Sequence, residues 1–479
     1  TYHKVNDEGK STNPSFLIGK LKQLFSLIKI RDEEEGVEDV EHILRDDGLS
    51  YLAQGLRGYH QKETTNLWKE LFLYYRSQEE KDRILRKLIQ GAFYVNKESG
   101  ISREAARLLY GMELKGSVTR LERYAGCAFA HYMNYGLSLE ERKEYKLAIP
   151  DIGNIFHNAI DDFSKRLDGG EYTWHTIPDE IREEWAVESV RKAVEDYENS
   201  FLRSSKRNEY LVTRMERITI RTLWALCNQI KQGAFEPAGY EMPFYHIPDM
   251  ALTLQGRIDR LDLYEDEDKV YVRVIDYKSG NTFFDIGSVY YGLQQQLSVY
   301  LSAAMDYLSK RYPEKEIVPS GIFYYHIDDP IVAKSDQAEE EIYKSLRMNG
   351  LVNADSRIVA LMDGKLEGPE GTLRASAKSE IIPIETNKEG GLAKRSSAAN
   401  NTQMKALMDY VNHKLVEDSR EILSGDTRLN PYRTDKKVAC EYCEYRSACG
   451  FDQRLPGHEY RNLAKKSPEE IKAEIFGEN

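Results

Sequence analysis

The sequence predicts an α/β protein with a mixed central sheet flanked by helices and preceded by an all-helical region. The prediction depends on periodicity in three parts of the chain. Apolar residues recur at helical spacing through residues 1–115, alternate as in strands between residues 239 and 278, and return to helical spacing after residue 290. We therefore place a helical region at 1–115, an α/β domain at 116–455 and a C-terminal tail at 456–479.

The individual elements follow from the same periodicities in chain order. Helices are predicted at residues 16–28, 67–89, 152–167 with Asp151 as N-cap, 186–233, 291–311 and 402–423. Strands are predicted at residues 239–247, 252–264, 270–277 and 321–326. Residues 330–400 are expected to be loop-rich and polar. The helical region shows no candidate site and is expected to serve for packing.

Composition limits the function classes. The formal net charge of −12 argues against a surface that binds polyanions everywhere, although a local basic track is compatible with it. No run of 18 apolar residues occurs, so no membrane span is expected. The start at Thr1, without a secretory leader, predicts a cytoplasmic location and suggests a fragment of a longer polypeptide. The pattern G-x-x-x-x-G-K-[ST] is absent, so no ATP site is expected in this chain.

Two acidic residues and a lysine form the clearest candidate site. Asp259 ends the segment Gly-Arg-Ile-Asp, and Asp276 and Lys278 stand two apart, so both project from the same face of a strand. Pairing of the two strands would bring Asp259 close to them. Carboxylates bind Mg²⁺, which activates water and offsets the charge of a scissile phosphate, and a lysine can stabilise the transition state. Alone, however, Asp-x-Lys near a strand end is more often a solvated ion pair.

Three further residues in chain order favour a site over an ion pair. His157, on an upstream helix, is a possible metal ligand. Gln296 and Tyr300 stand four apart on the helix after the strands, so both can point to one place. Each of these residues alone is more often a core or surface residue. The ordered set is much less expected by chance, and it predicts a catalytic centre.

This ordered set resembles the RecB-type branch of the PD-(D/E)XK nucleases, whose core is a restriction-endonuclease-like mixed sheet flanked by helices. The resemblance implies metal-dependent hydrolysis of DNA. Glu241 matches an acidic residue that some members carry before the strand hairpin. The implied roles are Mg²⁺ binding for His157, Asp259 and Asp276, catalysis for Asp259, Asp276 and Lys278, and DNA binding or site support for Gln296 and Tyr300.

The five cysteines suggest a second metal centre. Cys440, Cys443 and Cys449 form C-x2-C-x5-C, and Cys127 lies far upstream as a candidate fourth ligand. Without a secretory leader, such a cluster favours metal binding over disulfides. Cys227 stands in an apolar helix and is expected to be a buried core residue. Four thiolates suit zinc and an iron–sulfur cluster equally, and spacing alone leaves both open.

A cysteine before the nuclease motifs and C-x2-C-x5-C behind them is similar to the iron–sulfur staple of AddB-type subunits of bacterial AddAB helicase–nucleases. The resemblance covers residues 115–455. It implies a [4Fe-4S] cluster held by Cys127, Cys440, Cys443 and Cys449, and a heterodimer with an AddA-type helicase–nuclease subunit. It also implies cleavage of single-stranded DNA, on the 5′-ended strand, in double-strand break repair by homologous recombination. AddB is longer at its N-terminus, so residues 1–115 are interpreted as the remnant of a helicase-like portion.

A basic helix face offers a route for DNA. Arg214, Arg217 and Arg221 fall at i, i+3 and i+7, which places them on one side of a helix. They could follow a phosphate backbone, or they could form a solvated face with Glu216 pairing locally. The alternative for the whole chain is a non-catalytic iron–sulfur or zinc scaffold that binds DNA. The presence of the complete catalytic set favours the nuclease.

Overall fold

The structure, a computed structural model, describes residues 11–28, 48–59, 64–94, 100–142, 149–197, 205–455 and 457–477. The chain divides into two units, residues 1–98 with 450–459 and residues 99–449 with 460–479. None of the helices in the described ranges combines the length and apolar composition that a membrane crossing needs.

The first unit is helical, as the sequence predicts. Its helices are α1 (Phe16–Leu24), α2 (Gly48–Tyr59), α3 (Asn66–Ser77) and α4 (Glu79–Ala92). The ring of Trp68 packs against Gly55, where any Cβ would collide with the indole, and its Nε1 donates a hydrogen bond to the Leu52 carbonyl at 3.0 Å. Leu71 and Leu85 complete this small core.

The second unit is built on a mixed sheet of seven strands within the described residues, in the order β1-β3-β4-β5-β6-β7, with β2 also paired to β3. The strands are β1 (Leu114–Gly116), β2 (Glu236–Asp249), β3 (Leu252–Glu265), β4 (Lys269–Lys278), β5 (Glu316–His326), β6 (Asn349–Asn353) and β7 (Ala398–Ala399). Strand β4 runs antiparallel to β3 and parallel to β5. The predicted mixed central sheet is therefore confirmed.

Helices cover both faces of this sheet. The helices described in this unit are α5 (Arg103–Tyr110), α6 (Val118–Gly126), α7 (Ala128–His131), α8 (Ile149–Asp168), α9 (Asp179–Asp196), α10 (Lys206–Gln232), α11 (Ile286–Tyr290), α12 (Gln296–Arg311), α13 (Ala338–Ser345), α14 (Ser356–Met362), α15 (Asn401–Ser424), α16 (Arg446–Cys449) and α17 (Pro468–Phe476). A π-helical turn occupies Tyr132–Gly136, 3₁₀ turns occupy Gly364–Leu366 and Pro369–Gly371, and a second small sheet pairs β8 (Tyr432–Arg433) with β9 (Arg461–Asn462).

Alternation along β4 assigns its side chains to two cores. Tyr271, Ile275 and Tyr277 pack in the core that contains α8, α9 and α10, whereas Val272 and Val274 pack in the core that contains α12 and α15. Both faces of β4 are therefore covered, which explains its continuous apolar character.

Several boundaries differ from the sequence analysis. The predicted helix at 186–233 is two helices, α9 and α10. Asp151 lies inside the first turn of α8, so its assignment as N-cap was wrong. Residues 330–400 contain α13, β6 and α14, and Ile381, Ile382 and Ile384 are fully buried, so the loop-rich prediction was partly wrong. The run Ile-Ile-Pro-Ile at 381–384 is too short to show a period, and only the tertiary fold reveals that its isoleucines are core.

Candidate active site

Three side chains from three elements form a group that could hold a metal ion. They are His157 on α8, Glu241 on β2 and Asp259 on β3, whose ligand atoms lie within 4.8 Å of one another. His157 Nδ1 lies 3.4 Å from Asp259 Oδ2 and 3.5 Å from Glu241 Oε1. Its Nε2 lies 2.9 Å from the carbonyl of Tyr277, which can only accept, so Nε2 carries a proton and Nδ1 faces the carboxylates. This orientation presents Nδ1 as the ligand atom.

Glu241 reaches this group through an unusual backbone conformation. Its φ of 45° lies in the left-handed region, which costs a non-glycine residue about 1–3 kcal/mol. Its neighbours Tyr240 and Met242 pair with Arg260 and Ile258 of β3, so Glu241 lies opposite Asp259. The sequence analysis gave Glu241 only a secondary place, because nothing in the local pattern shows where its side chain points.

Asp276, Lys278, Gln296 and Tyr300 form a connected chain of polar contacts beside the metal-binding group. Lys278 Nζ lies 2.5 Å from Asp276 Oδ2 and donates to Gln296 Oε1 at 2.9 Å. Gln296 Nε2 lies 2.7 Å from the hydroxyl of Tyr300. The structure therefore brings together every residue of the predicted ordered set, and the i, i+4 pair on α12 does point to one place.

The two aspartates are buried close to each other. Asp259 also accepts a hydrogen bond from the Tyr277 backbone N–H at 2.8 Å. Burial and repulsion from Asp276 raise the pKa of Asp259 to about 8, and burial raises the pKa of Asp276 against the opposing influence of Lys278. Burial alone would lower the pKa of His157, but the Glu241 and Asp259 carboxylates outweigh it and raise this pKa to about 9. Such an excess of buried negative charge is typical of a site that binds a cation.

Glu122 on α6 is a site neighbour that the sequence analysis missed. Its Oε1 accepts hydrogen bonds from the backbone N–H groups of Gln295 and Gln296, at 2.6 and 3.2 Å. Gln295 makes no side-chain cap of its own, so Glu122 caps the N-terminus of α12. The cap fixes the turn from which Gln296 contacts Lys278. No sequence signal could have indicated this partner, because it lies on a distant helix.

The five cysteines form no disulfide, and Cys127, Cys440, Cys443 and Cys449 lie in one region. Cys127 is the C-cap of α6 and packs in a cluster with Cys443 and Tyr445. Burial raises the pKa of Cys127 to about 11, and nearby Cys440 adds to this shift. Burial also raises the pKa of Cys440, with contributions from Cys443 and Cys449. Cys227 is fully buried in the other core, as expected.

The three arginines of the predicted DNA track differ in their surroundings. Arg214 is exposed, Arg217 forms an ion pair with Asp329, and the guanidinium of Arg221 lies 5.7 Å from the ring centre of Trp224. Glu216 pairs with Arg191 on α9 at 2.8 Å. Arg217 and Arg221 thus have intramolecular partners, and the role of all three in DNA binding stays a prediction.

The fold and the site place the chain in a known family. The pattern of the PD-(D/E)XK nuclease superfamily matches residues 115–450, and the chain belongs to this superfamily. Members typically depend on a divalent metal, which agrees with the acidic group around His157.

Comparison with curated proteins identifies a narrower group of relatives within this superfamily. The chain is 50% identical over 471 residues to the AddB subunit of the ATP-dependent helicase/deoxyribonuclease of Lachnoclostridium phytofermentans, a match that covers 98% of the chain and 41% of the relative. It is 34% identical over 498 residues to the subunit of the same name from Alkaliphilus oremlandii, a match that covers 100% of the chain and 43% of the relative. It is also 34% identical over 496 residues to that from Clostridium acetobutylicum, where the match covers 98% of the chain and 42% of the relative. The predicted resemblance to AddB-type subunits is thereby confirmed. The chain spans less than half the length of these relatives.

Proposed function

We propose that the chain is the Mg²⁺-dependent nuclease module of a helicase–nuclease complex and hydrolyses phosphodiester bonds of single-stranded DNA. The observation that carries the proposal is the group of His157, Glu241 and Asp259 beside the Asp276–Lys278 pair on the sheet of a PD-(D/E)XK nuclease. The relatives' names support a helicase partner, here an AddA-type subunit. The proposal includes exonucleolytic cleavage of the 5′-ended strand, double-strand break repair by homologous recombination, and a cytoplasmic location.

The donor set fits a divalent cation. His157 Nδ1, Asp259, Asp276 and Glu241 would hold Mg²⁺, which when bound activates water and offsets the charge of the scissile phosphate. The imidazole also suits Mn²⁺. Lys278 Nζ, held between Asp276 and Gln296, is placed to donate a hydrogen bond to a phosphate oxygen as charge develops in the transition state. Glu122 and Tyr300 keep Gln296, and therefore Lys278, in position.

Replacement of Lys278 by alanine tests this function. We expect Lys278→Ala to slow digestion of labelled single-stranded DNA by about 10²–10³-fold, because one preorganised donor to the transition state is lost. The matched control is Lys269→Ala at the other end of β4, where the lysine pairs with Glu316 at 3.0 Å on the surface. Reactions run with Mg²⁺, with Mn²⁺ and with EDTA.

Three outcomes would contradict the proposal. Cleavage that persists in EDTA would exclude metal dependence. Equal activity of wild type, Lys278→Ala and Asp276→Ala would assign cleavage to another site. Wild type that binds DNA but never cuts it would favour the non-catalytic scaffold.

We further propose that Cys127, Cys440, Cys443 and Cys449 hold a [4Fe-4S] cluster. Cys127 packs in one cluster with Cys443, and the mutual influence of Cys127 and Cys440, and of Cys440 with Cys443 and Cys449, places the four thiols near one another. Four thiolates by number suit zinc and an iron–sulfur cluster alike. The resemblance to AddB-type subunits favours the iron–sulfur cluster. The same centre would join α6 to the segment after β8, which lies more than 300 residues later.

Loss of one cysteine is expected to remove the iron and destabilise the protein. Cys127→Ala and Cys440→Ala should lose the visible absorption of the cluster and lower the free energy of unfolding, with an upper limit of about 6 kcal/mol from the released loop entropy. Cys227→Ala, a buried cysteine in the other core, should keep its iron. Iron analysis and thermal melting after anaerobic purification measure both effects. A colourless Cys440→Ala variant with an unchanged melting temperature would exclude the structural role.

A further inference from the structure

Phe283 is an exposed aromatic residue just beyond the end of β4. Its side chain is 55% exposed, and it lies between Lys278 and the start of α11. The ring stacks on the imidazole of His326, with ring centres 4.8 Å apart and an angle of 29° between the planes. One face of the phenyl ring is therefore covered by His326, and because more than half of the residue is exposed, the remaining ring surface faces solvent.

The backbone around Phe283 is fixed by hydrogen bonds to side chains. These anchor a segment that would otherwise be free to move, so the ring is held in place before anything binds. The contacts are His326 Nε2 to the Thr282 carbonyl at 2.5 Å, Gln294 Nε2 to the Phe283 carbonyl at 2.8 Å, Phe284 N–H to Asn349 Oδ1 at 2.5 Å, and Asp285 N–H to Gln294 Oε1 at 3.0 Å. A ligand that stacks on this ring would lose little conformational entropy from the protein side.

The stacked pair lies directly beside the proposed catalytic lysine. His326 is in register with Lys278 on the neighbouring parallel strand, as Tyr324 is with Asp276. Adjacent strands are about 4.8 Å apart, and residues in register project from the same face. His326 thus lies about one strand away from the lysine that is proposed to contact the scissile phosphate, and Phe283 is stacked on His326.

We propose that Phe283, supported by His326, is a stacking platform for one nucleobase of single-stranded DNA next to the phosphate that is cut. The inference rests on the proposed function and names part of its substrate site. Every nucleobase has a π-face, so such a platform accepts any sequence. In a duplex the bases are stacked on each other, and only a single strand offers an unstacked base. The platform therefore provides a physical reason for a single-stranded substrate.

Binding of a normal and a base-free strand separates stacking from phosphate contacts. The probes are an oligodeoxythymidylate and an abasic oligomer of equal length, titrated in EDTA so that neither is cut. Phe283→Ala is expected to weaken binding of the oligodeoxythymidylate about 5- to 150-fold and to leave binding of the abasic oligomer unchanged. Phe283→Trp is expected to keep the affinity, and its indole fluorescence should be quenched by the oligodeoxythymidylate but not by the abasic strand. Tyr245→Ala, at an aromatic side chain that is 73% exposed on β2, is the control and should change neither affinity.

The outcomes distinguish this inference from the function on which it rests. Wild type that neither binds nor cuts single-stranded DNA overturns the proposed function, and the platform with it. Wild type that cuts, together with Phe283→Ala that binds both oligomers like wild type, overturns the platform alone. Equal weakening by Phe283→Ala and Tyr245→Ala, or loss of binding to the abasic oligomer as well, also overturns it.

Discussion

Replacement of Asp262 by asparagine is expected to lower the free energy of unfolding by about 3–5 kcal/mol. Asp262 is fully buried on β3 and is the shared anion of two buried arginines. Arg260 binds it with two hydrogen bonds of 2.6 and 2.8 Å, and Arg273 from β4 binds it with Nε and a terminal nitrogen at 2.9 and 2.8 Å. Asparagine keeps the shape but removes the charge, so both guanidinium groups would remain buried without a counter-ion.

The rest of the surroundings cannot replace that anion. The guanidinium of Arg260 lies 5.7 Å from the ring centre of Trp174, and that of Arg273 lies 4.8 Å from the ring centre of Phe235. Cation–π contacts of this kind contribute about 0.5–2 kcal/mol. They are too weak to offset the cost of an unpaired buried charge, which is several kcal/mol per ion.

Chemical denaturation with a surface control measures the effect. Glu265→Gln removes the charge of a half-exposed carboxylate that pairs with Lys315 at 2.8 Å, and it should leave the free energy of unfolding nearly unchanged. Joint replacement of Arg260, Asp262 and Arg273 by apolar residues of similar volume should recover much of the lost stability, because no charge would then be buried. An Asp262→Asn variant as stable as Glu265→Gln would show that this network is solvated, contrary to the structure.

Much of the site could be predicted from the sequence because its parts are local. Asp276 and Lys278 are fixed by the period of a strand, and Gln296 and Tyr300 by the period of a helix. The chain order of these pairs resembles that of a nuclease family. This resemblance supplied the expected roles of the residues, which spacing alone could not.

The unpredicted parts depend on contacts between distant residues. Glu122 caps α12 from another helix, and the left-handed φ of Glu241 decides where its carboxylate points. The stack of Phe283 on His326 requires the register of β4 and β5. All three features depend on how distant parts of the chain pack together. Neither the residue types nor their spacing in the sequence predicts them.

Asp259→Asn is expected to abolish metal-dependent cleavage and, at the same time, to stabilise the metal-free protein at alkaline pH. The variant loses the charge of a proposed metal ligand, although its side-chain oxygen can still accept the hydrogen bond from Tyr277 N–H. It also loses the repulsion between buried carboxylates. Active sites commonly contain residues that are needed for function but destabilise the protein when the ligand is absent.

The raised pKa values determine whether the stability of the metal-free protein rises or falls with pH. The pKa of Asp259 is raised to about 8 in the folded protein, against about 3.9 in an unfolded chain. The native state therefore binds more protons between these values, and its stability falls as the pH rises from about 4 to about 8. The pKa of His157 is raised to about 9, so its stabilising contribution is complete below about 6.5 and is lost as the pH rises through 9. Without metal, wild type should lose stability across this window, and Asp259→Asn should lose less.

Thermal melting in EDTA and in saturating Mg²⁺ or Mn²⁺, at about pH 6 and about pH 8.5, tests both halves of this prediction. Metal at about 100 times its Kd should stabilise wild type by about 2.7 kcal/mol, and it should stabilise Asp259→Asn far less. Asp435→Asn, at a carboxylate that is largely exposed, should behave like wild type. If Asp259→Asn kept the full metal stabilisation, Asp259 would not be a ligand. If wild type in EDTA melted at the same temperature at both pH values, repulsion among the buried carboxylates would not destabilise the protein. The geometry of His157, Glu241 and Asp259 would then need another explanation than a site preorganised for a cation.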